Sequence, residues 1–127
     1  VLIQHHLYHG WDNRYLIDTW SRVDLPPVIP HETTALTGLR HLKGTVSLAR
    51  FAPGAVYHSF FICLRDEPVL DFGGARHPDG QGFAAFGRVV EGFEVVQRIY
   101  ARAEAAEYLT NEIVIRRAAI VADNTSP

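Results

Sequence analysis

Apolar and polar positions change their spacing several times along this chain, and each change marks an element. Residues 1–4, Val-Leu-Ile-Gln, read as the tail of a strand. Residues 45–49, Thr-Val-Ser-Leu-Ala, read as a β-branched strand stopped by Pro53-Gly54. Residues 60–64, Phe-Phe-Ile-Cys-Leu, are apolar on both faces, as expected of a strand in a closed barrel wall covered from outside. Residues 83–90 return to strand. Residues 92–102 place Val95, Val96, Ile99 and Tyr100 on one helical stripe, with Glu94, Gln97 and Arg98 elsewhere. Residues 111–121 alternate around Ile113 and Ile115 and predict a last strand, and the polar tail after Ala122 is expected to fray.

The segments between these elements carry turn chemistry. Residues 5–30 are irregular, with Trp11, Trp20 and the turn signal Pro26-Pro27. Residues 31–44 are loop-like with one short helical turn. Residues 65–82 hold Pro68, Gly73-Gly74, Pro78, Asp79-Gly80 and Gly82, which predicts a loop of several tight turns. No internal repeat and no linker divides the chain, so residues 1–127 read as one domain.

Composition narrows the function classes. The chain has 127 residues, 47% hydrophobic and 20% charged, which is ordinary for a soluble globular protein. Twelve basic side chains against fourteen acidic ones give a formal charge of -2, so no electrostatic case arises for nucleic acid or an anionic membrane. No apolar run approaches a membrane span. The single cysteine, Cys63, excludes an intrachain disulfide. The sequence starts inside an apolar segment at Val1, and we read it as N-terminally incomplete, which leaves the compartment open; the cytoplasm is expected ahead of the periplasm.

Candidate chemistry is sparse. His31-Glu32-Thr33-Thr34-Ala35 resembles a zinc-protease motif but has alanine where the second imidazole must stand. His5, His6 and His9 cluster near Asp12 without further ligand spacing, so a solvated loop is expected and no metal or cofactor is assigned. The glycines of residues 80–87 lead into a strand, where a dinucleotide loop requires a helix. Cys63, among apolar neighbours, reads as a small buried hydrophobe. No nucleophile elbow is present, and Asn124-Thr125-Ser126 is a glycosylation match close to the chain end. Phe60, Phe86 and Phe93 are assigned to the core. At least one of Phe60 and Phe61 must face away from the barrel interior, because strand neighbours alternate.

Taken in order, several motifs resemble the cyclophilins, bacterial-type members in particular. These are HETTALTGLRH from His31, Lys43 to Arg50, Ser59-Phe60-Phe61-Ile62, Leu70-Asp71-Phe72-Gly73-Gly74, and DGQGFAAFGRVVEGFEVV from Asp79. The resemblance is strongest over residues 31–96, and residues 108–121 look like the family's closing strand. It implies a mainly β fold, an eight-stranded antiparallel barrel with capping helices, lacking here its first strands and first helix. It implies a peptidyl-prolyl cis-trans isomerase that binds proline-containing peptides or unfolded protein clients as a monomer, without cofactor. The alternative is a cyclophilin-like module that binds proline-containing segments without turning them over.

By the same resemblance Leu2, Phe61 and Leu70 would line the proline pocket, with Phe83 where many members place a histidine and Val1 as a further wall. Gln4 would bind peptide backbone through its amide, and Ala49 and Arg50 through main-chain groups. Gln4 and Phe61 would be the catalytic contributors, and the family's catalytic arginine would lie before Val1. Departures from the pattern are His5-His6 in place of two glycines, bulky Val56-Tyr57-His58, Ser59 in place of Gln or Glu, and Val69 in place of a tryptophan that contacts cyclosporin-class inhibitors.

Overall fold

A computed structural model describes residues 2–5, 29–50, 55–56, 60–106 and 109–122. The elements in order are β1 (Leu2–His5), β2 (Ile29–Pro30), α1 (Thr34–Thr37), β3 (Thr45–Leu48), β4 (Ala55–Val56), β5 (Phe60–Cys63), a 3-10 turn (Pro68–Leu70), β6 (Ala84–Arg88) and α2 (Phe93–Tyr100). Four strands form one antiparallel sheet in the order β1-β5-β3-β6, and β2 pairs with β4 in a separate ribbon. The expected strands over 45–49, 60–64 and 83–90 and the helix over 92–102 are thus present, each slightly shorter than the pattern suggested. The β2–β4 ribbon was not anticipated.

The inner face of the sheet is mixed. Phe61 and Cys63 of β5 are buried, and so are Thr45 and Ser47 of β3. The register sets Ser47 opposite Phe61, so a hydroxyl and a phenyl share one side of the sheet. Buried polar groups require partners. Thr45 Oγ1 donates to the Arg40 carbonyl at 3.0 Å and accepts the Leu42 N–H at 3.0 Å. Ser47 Oγ meets His41 Nε2 at 2.8 Å. On the apolar side Ala49, Phe61, Cys63 and Leu70 form the core cluster, with Phe83 packed against it. Cys63 is buried, as its apolar neighbours suggested.

Two expectations are corrected. Phe86 is not core but 55% exposed. In β6 Ala85 lies opposite Ser47 and Gly87 opposite Val46, so Phe86 is the extra residue of a β-bulge and is turned out of the inward alternation. Residues 111–121 form no strand: among the described residues no strand pairs with them, and Ile120 is fully exposed. An alternating pattern yields a strand only where a neighbour takes up its backbone N–H and C=O groups.

The remaining aromatic assignments divide. Phe60 and Phe93 are half-buried rather than enclosed, and Lys43 Nζ stands 4.9 Å from the Phe93 ring centre. Within α2, Val96 is buried while Val95 and Tyr100 remain partly exposed. Glu94 in the first turn and Arg98 in the last complement the helix dipole. Among the described residues no helix is long and apolar enough to cross a membrane. Trp11, Trp20, the Pro26-Pro27 and Pro53-Gly54 turns, the 124–126 motif and the polar tail lie outside the described residues.

Candidate functional site

The site grows from three segments that the sheet brings together. The chain leaving β3 carries Ala49 and Arg50, 6% and 3% exposed. β5 carries Phe61, and the 3-10 turn carries Leu70. The loop after that turn returns to Phe83, whose N–H donates to the Leu70 carbonyl at 2.9 Å. The rings of Phe61 and Phe83 meet edge to face, with centres 5.5 Å apart and planes at 86°. Ala49, Arg50, Phe61, Leu70 and Phe83, all named from the sequence, therefore converge. Gln4 stands directly opposite Phe61 in the β1–β5 register and Leu2 opposite Cys63. The side chains of Leu2 and Gln4, together with Val1, His6, His9 and residues 57–59, lie outside the described residues.

The loop from Asp71 to Gly82 is held by contacts that no sequence pattern announced. Arg50 extends its side chain across the site. Its Nε donates to the Gly82 carbonyl at 2.6 Å, and Nη1 and Nη2 donate to the two Asp79 oxygens at 2.7 and 2.5 Å. The guanidinium carbon lies 5.8 Å from the Phe83 ring centre. Asp79 Oδ1 also accepts the Gln81 N–H at 2.9 Å and faces His77 Nδ1 at 2.9 Å. Arg50's hydrogen bonds hold the Asp79 carboxyl well below the usual carboxylate range, and the Gln81 N–H adds to the effect.

Gly82 has φ of +67°, and a Cβ there would come within 2.5 Å of the Leu70 carbonyl oxygen. Gly74 likewise leaves no room for a Cβ beside the Val69 carbonyl. These two glycines let the loop fold back onto the turn that carries Leu70.

A second polar chain runs under Phe61. His41 Nδ1 meets Asp71 Oδ1 at 2.7 Å, the same oxygen accepts the His41 N–H at 2.9 Å, and Nε2 reaches Ser47. The His41 ring stacks on Phe61 with centres 6.0 Å apart and planes at 20°. Serine, histidine and aspartate in this order suggest a nucleophile relay. Ser47 is 0% and His41 1% exposed, so the hydroxyl meets no substrate, and the chain instead braces Phe61 from behind.

His31 stands near this assembly. Burial, and then the Arg50 charge, push its imidazole below its ordinary value, against the opposing pull of Asp79 and the Phe83 main chain. Its Nε2 is buried and has no hydrogen-bond partner among the described residues. The Cys63 thiol is pushed up to about 11 by burial and then by Glu67. Among the described residues no three histidine, cysteine or carboxylate side chains stand together as a metal site. A cleft of about 610 Å3 between α1 and the 68–74 turn is lined by Thr34, Arg40, Asp71 and Phe72 among others, and not by Ala49, Arg50, Phe61, Leu70 or Phe83. Val69, which the resemblance sets where other members carry an inhibitor-contacting tryptophan, is 45% exposed.

Three of the most similar curated proteins carry one activity in their names. The chain is 40% identical over 83 residues to peptidyl-prolyl cis-trans isomerase A of Dickeya dadantii (strain 3937), covering 65% of this chain and 40% of that protein. It is 37% identical over 71 residues to peptidyl-prolyl cis-trans isomerase B of Escherichia coli (strain K12), covering 55% and 43%. It is 39% identical over 71 residues to peptidyl-prolyl cis-trans isomerase cyp18 of Streptomyces antibioticus, covering 55% and 42%. The chain thus spans about two fifths of the length of the curated relatives it matches. The family model for cyclophilin-type peptidyl-prolyl cis-trans isomerases matches residues 14–120, which include every element that builds the site except β1, and by that match this chain belongs to the cyclophilin family.

Proposed function

We propose that the protein is a peptidyl-prolyl cis-trans isomerase that turns X-Pro bonds in peptides and unfolded proteins. The observation that carries this reading is the convergence of Ala49, Phe61, Leu70 and Phe83 on one apolar cluster in a chain of this family. A peptide bond resists twisting by ~18–20 kcal/mol because of its partial double-bond character. No bond to carbon is made or broken, so the reaction needs neither nucleophile nor metal. It needs a surface that grips the proline ring while the preceding carbonyl turns, and that binds the twisted amide better than either planar form.

In this reading the ring seats against Phe61, Leu70 and Phe83, with Leu2 as a further wall. The Gln4 amide holds the peptide backbone from β1, and the main chain at Ala49 and Arg50 holds it from the end of β3. In the twisted state the proline nitrogen regains a lone pair that a donor can stabilise. We assign that donor to the arginine that the family carries just before the strand of Gln4. The four-stranded sheet would form part of the family's eight-stranded barrel, and the protein would act as a monomer without cofactor.

A protease-coupled assay on a proline tetrapeptide with the full-length protein tests the proposal. Cis-to-trans conversion well above the spontaneous rate is expected. Peptide binding with no acceleration would overturn it in favour of a module that holds proline-containing segments without turning them.

A further inference from the structure

The peptide unit between Gly82 and Phe83 is pinned at both ends. Its carbonyl accepts Arg50 Nε at 2.6 Å, and its N–H donates to Leu70 at 2.9 Å. A peptide plane held by both polar groups fixes the Cα that follows it. That Cα bears the Phe83 ring, which rests edge-on against Phe61, meets His77 with centres 5.9 Å apart, and lies under the Arg50 guanidinium. The orientation of Phe83 therefore depends on a side chain 33 residues earlier in the sequence.

The choice of residue at position 50 supports a geometric role. The Arg50 side chain is 0% exposed, and a guanidinium taken fully out of water is costly. A planar fork holds a carboxylate by two parallel bonds while its Nε holds a third acceptor, whereas an ammonium acts as a point charge. Here the fork takes Asp79 and Nε takes Gly82, so a single side chain sets both the distance and the tilt of the returning loop.

We propose that Arg50 is a positioning residue for the proline site: through Asp79 and the Gly82 carbonyl its side chain sets the Phe83 ring against Phe61. This deepens the isomerase reading and rests on it. It gives position 50 two roles, main-chain contact with the peptide on one side and side-chain control of a pocket wall on the other. Because the ring grip is shared by the planar and twisted forms of the substrate, loosening it weakens binding in both and appears in KM rather than kcat.

The test uses full-length R50K and D79N proteins beside the wild type. R50K is expected to raise KM about tenfold with kcat within about twofold, because lysine cannot hold Asp79 and Gly82 together. D79N keeps the shape of the bracket and is expected to raise KM about threefold. In both variants the NMR signals of the Phe83 ring should shift in the substrate-free protein. A merely structural role would instead reduce the active fraction, lowering kcat at constant KM, and that result overturns the proposal. Native KM and unshifted Phe83 signals in both variants overturn it as well. A wild type with no activity defeats the isomerase reading alone. The bracket is then judged by titrating the same peptide: weaker binding by R50K sustains it, and unchanged affinity overturns it.

Discussion

Residues 71–83, a loop of tight turns as the sequence suggested, and residues 109–122, where the suggested strand over 111–121 does not form, differ in what holds them. The first segment is rich in glycine and turn residues and contains no strand or helix before Ala84, yet it is bonded throughout. Asp71 holds His41, Gly73 donates to the Gly80 carbonyl at 2.7 Å, Arg76 donates to Val69 at 3.1 Å, and Arg50 grips Asp79 and Gly82. The second segment has the alternation of a strand around Ile113 and Ile115. Thr110 is tied to Glu104 through its hydroxyl at 2.7 Å, but beyond it Val114, Ile120 and Val121 are 67%, 100% and 85% exposed. Hydrophobic alternation states what a segment could bury. Order comes from the partners that accept its polar groups.

The contrast can be broken most forcefully at Gly82. Replacing it with alanine adds a Cβ against the Leu70 carbonyl at a positive φ. Urea denaturation of G82A should show a loss of about 3 kcal/mol, in the range expected for combined strain and overpacking. An unchanged midpoint would mean that the loop is not locked as described.

A smaller effect is expected from pH, and its sign follows from the direction of two shifts. His31 takes a proton less readily when folded than its ordinary value of 6.5, because of burial and then Arg50. The unfolded chain therefore binds more protons as pH falls through 6.5, and stability falls with it until the folded value is passed. Asp79 acts with the same sign in a lower window: held down by Arg50, it keeps its contribution above the ordinary 3.8 and loses it only in stronger acid. Denaturation midpoints should drop between neutral pH and about pH 5, and H31Q should flatten that slope. A wild-type midpoint constant across this interval would contradict the assignment.

The smallest effect belongs to the other side of the comparison. I120S, at a fully exposed position, should change stability by less than about 0.5 kcal/mol. A loss approaching that of G82A would show that the Ile120 side chain is packed in the folded protein rather than exposed.

The sequence made legible those elements whose signal is local. The apolar run over 60–64 became β5, and the stripe over 92–102 became α2. The resemblance located Ala49, Arg50, Phe61, Leu70 and Phe83, which the fold does bring together. What escaped the reading depends on pairings fixed only after the chain folds. Asp79 lies 29 residues from Arg50, and Asp71 lies 30 from His41, with no spacing rule joining either pair. Phe86 read as core because a bulge, which shifts register by one residue, leaves no mark in the hydrophobic pattern. Ile29–Pro30 and Ala55–Val56 are too short to show a period at all.

The burial of Cys63 has a practical consequence. Only the thiolate attacks alkylating reagents, and this thiol is pushed up to about 11 and enclosed on a strand with neighbours on both sides. Native protein near neutral pH should therefore be inert to such reagents until the sheet opens. As the one cysteine of the chain, it makes the labelling rate a direct clock for opening of the central strand, readable by mass without any engineered probe.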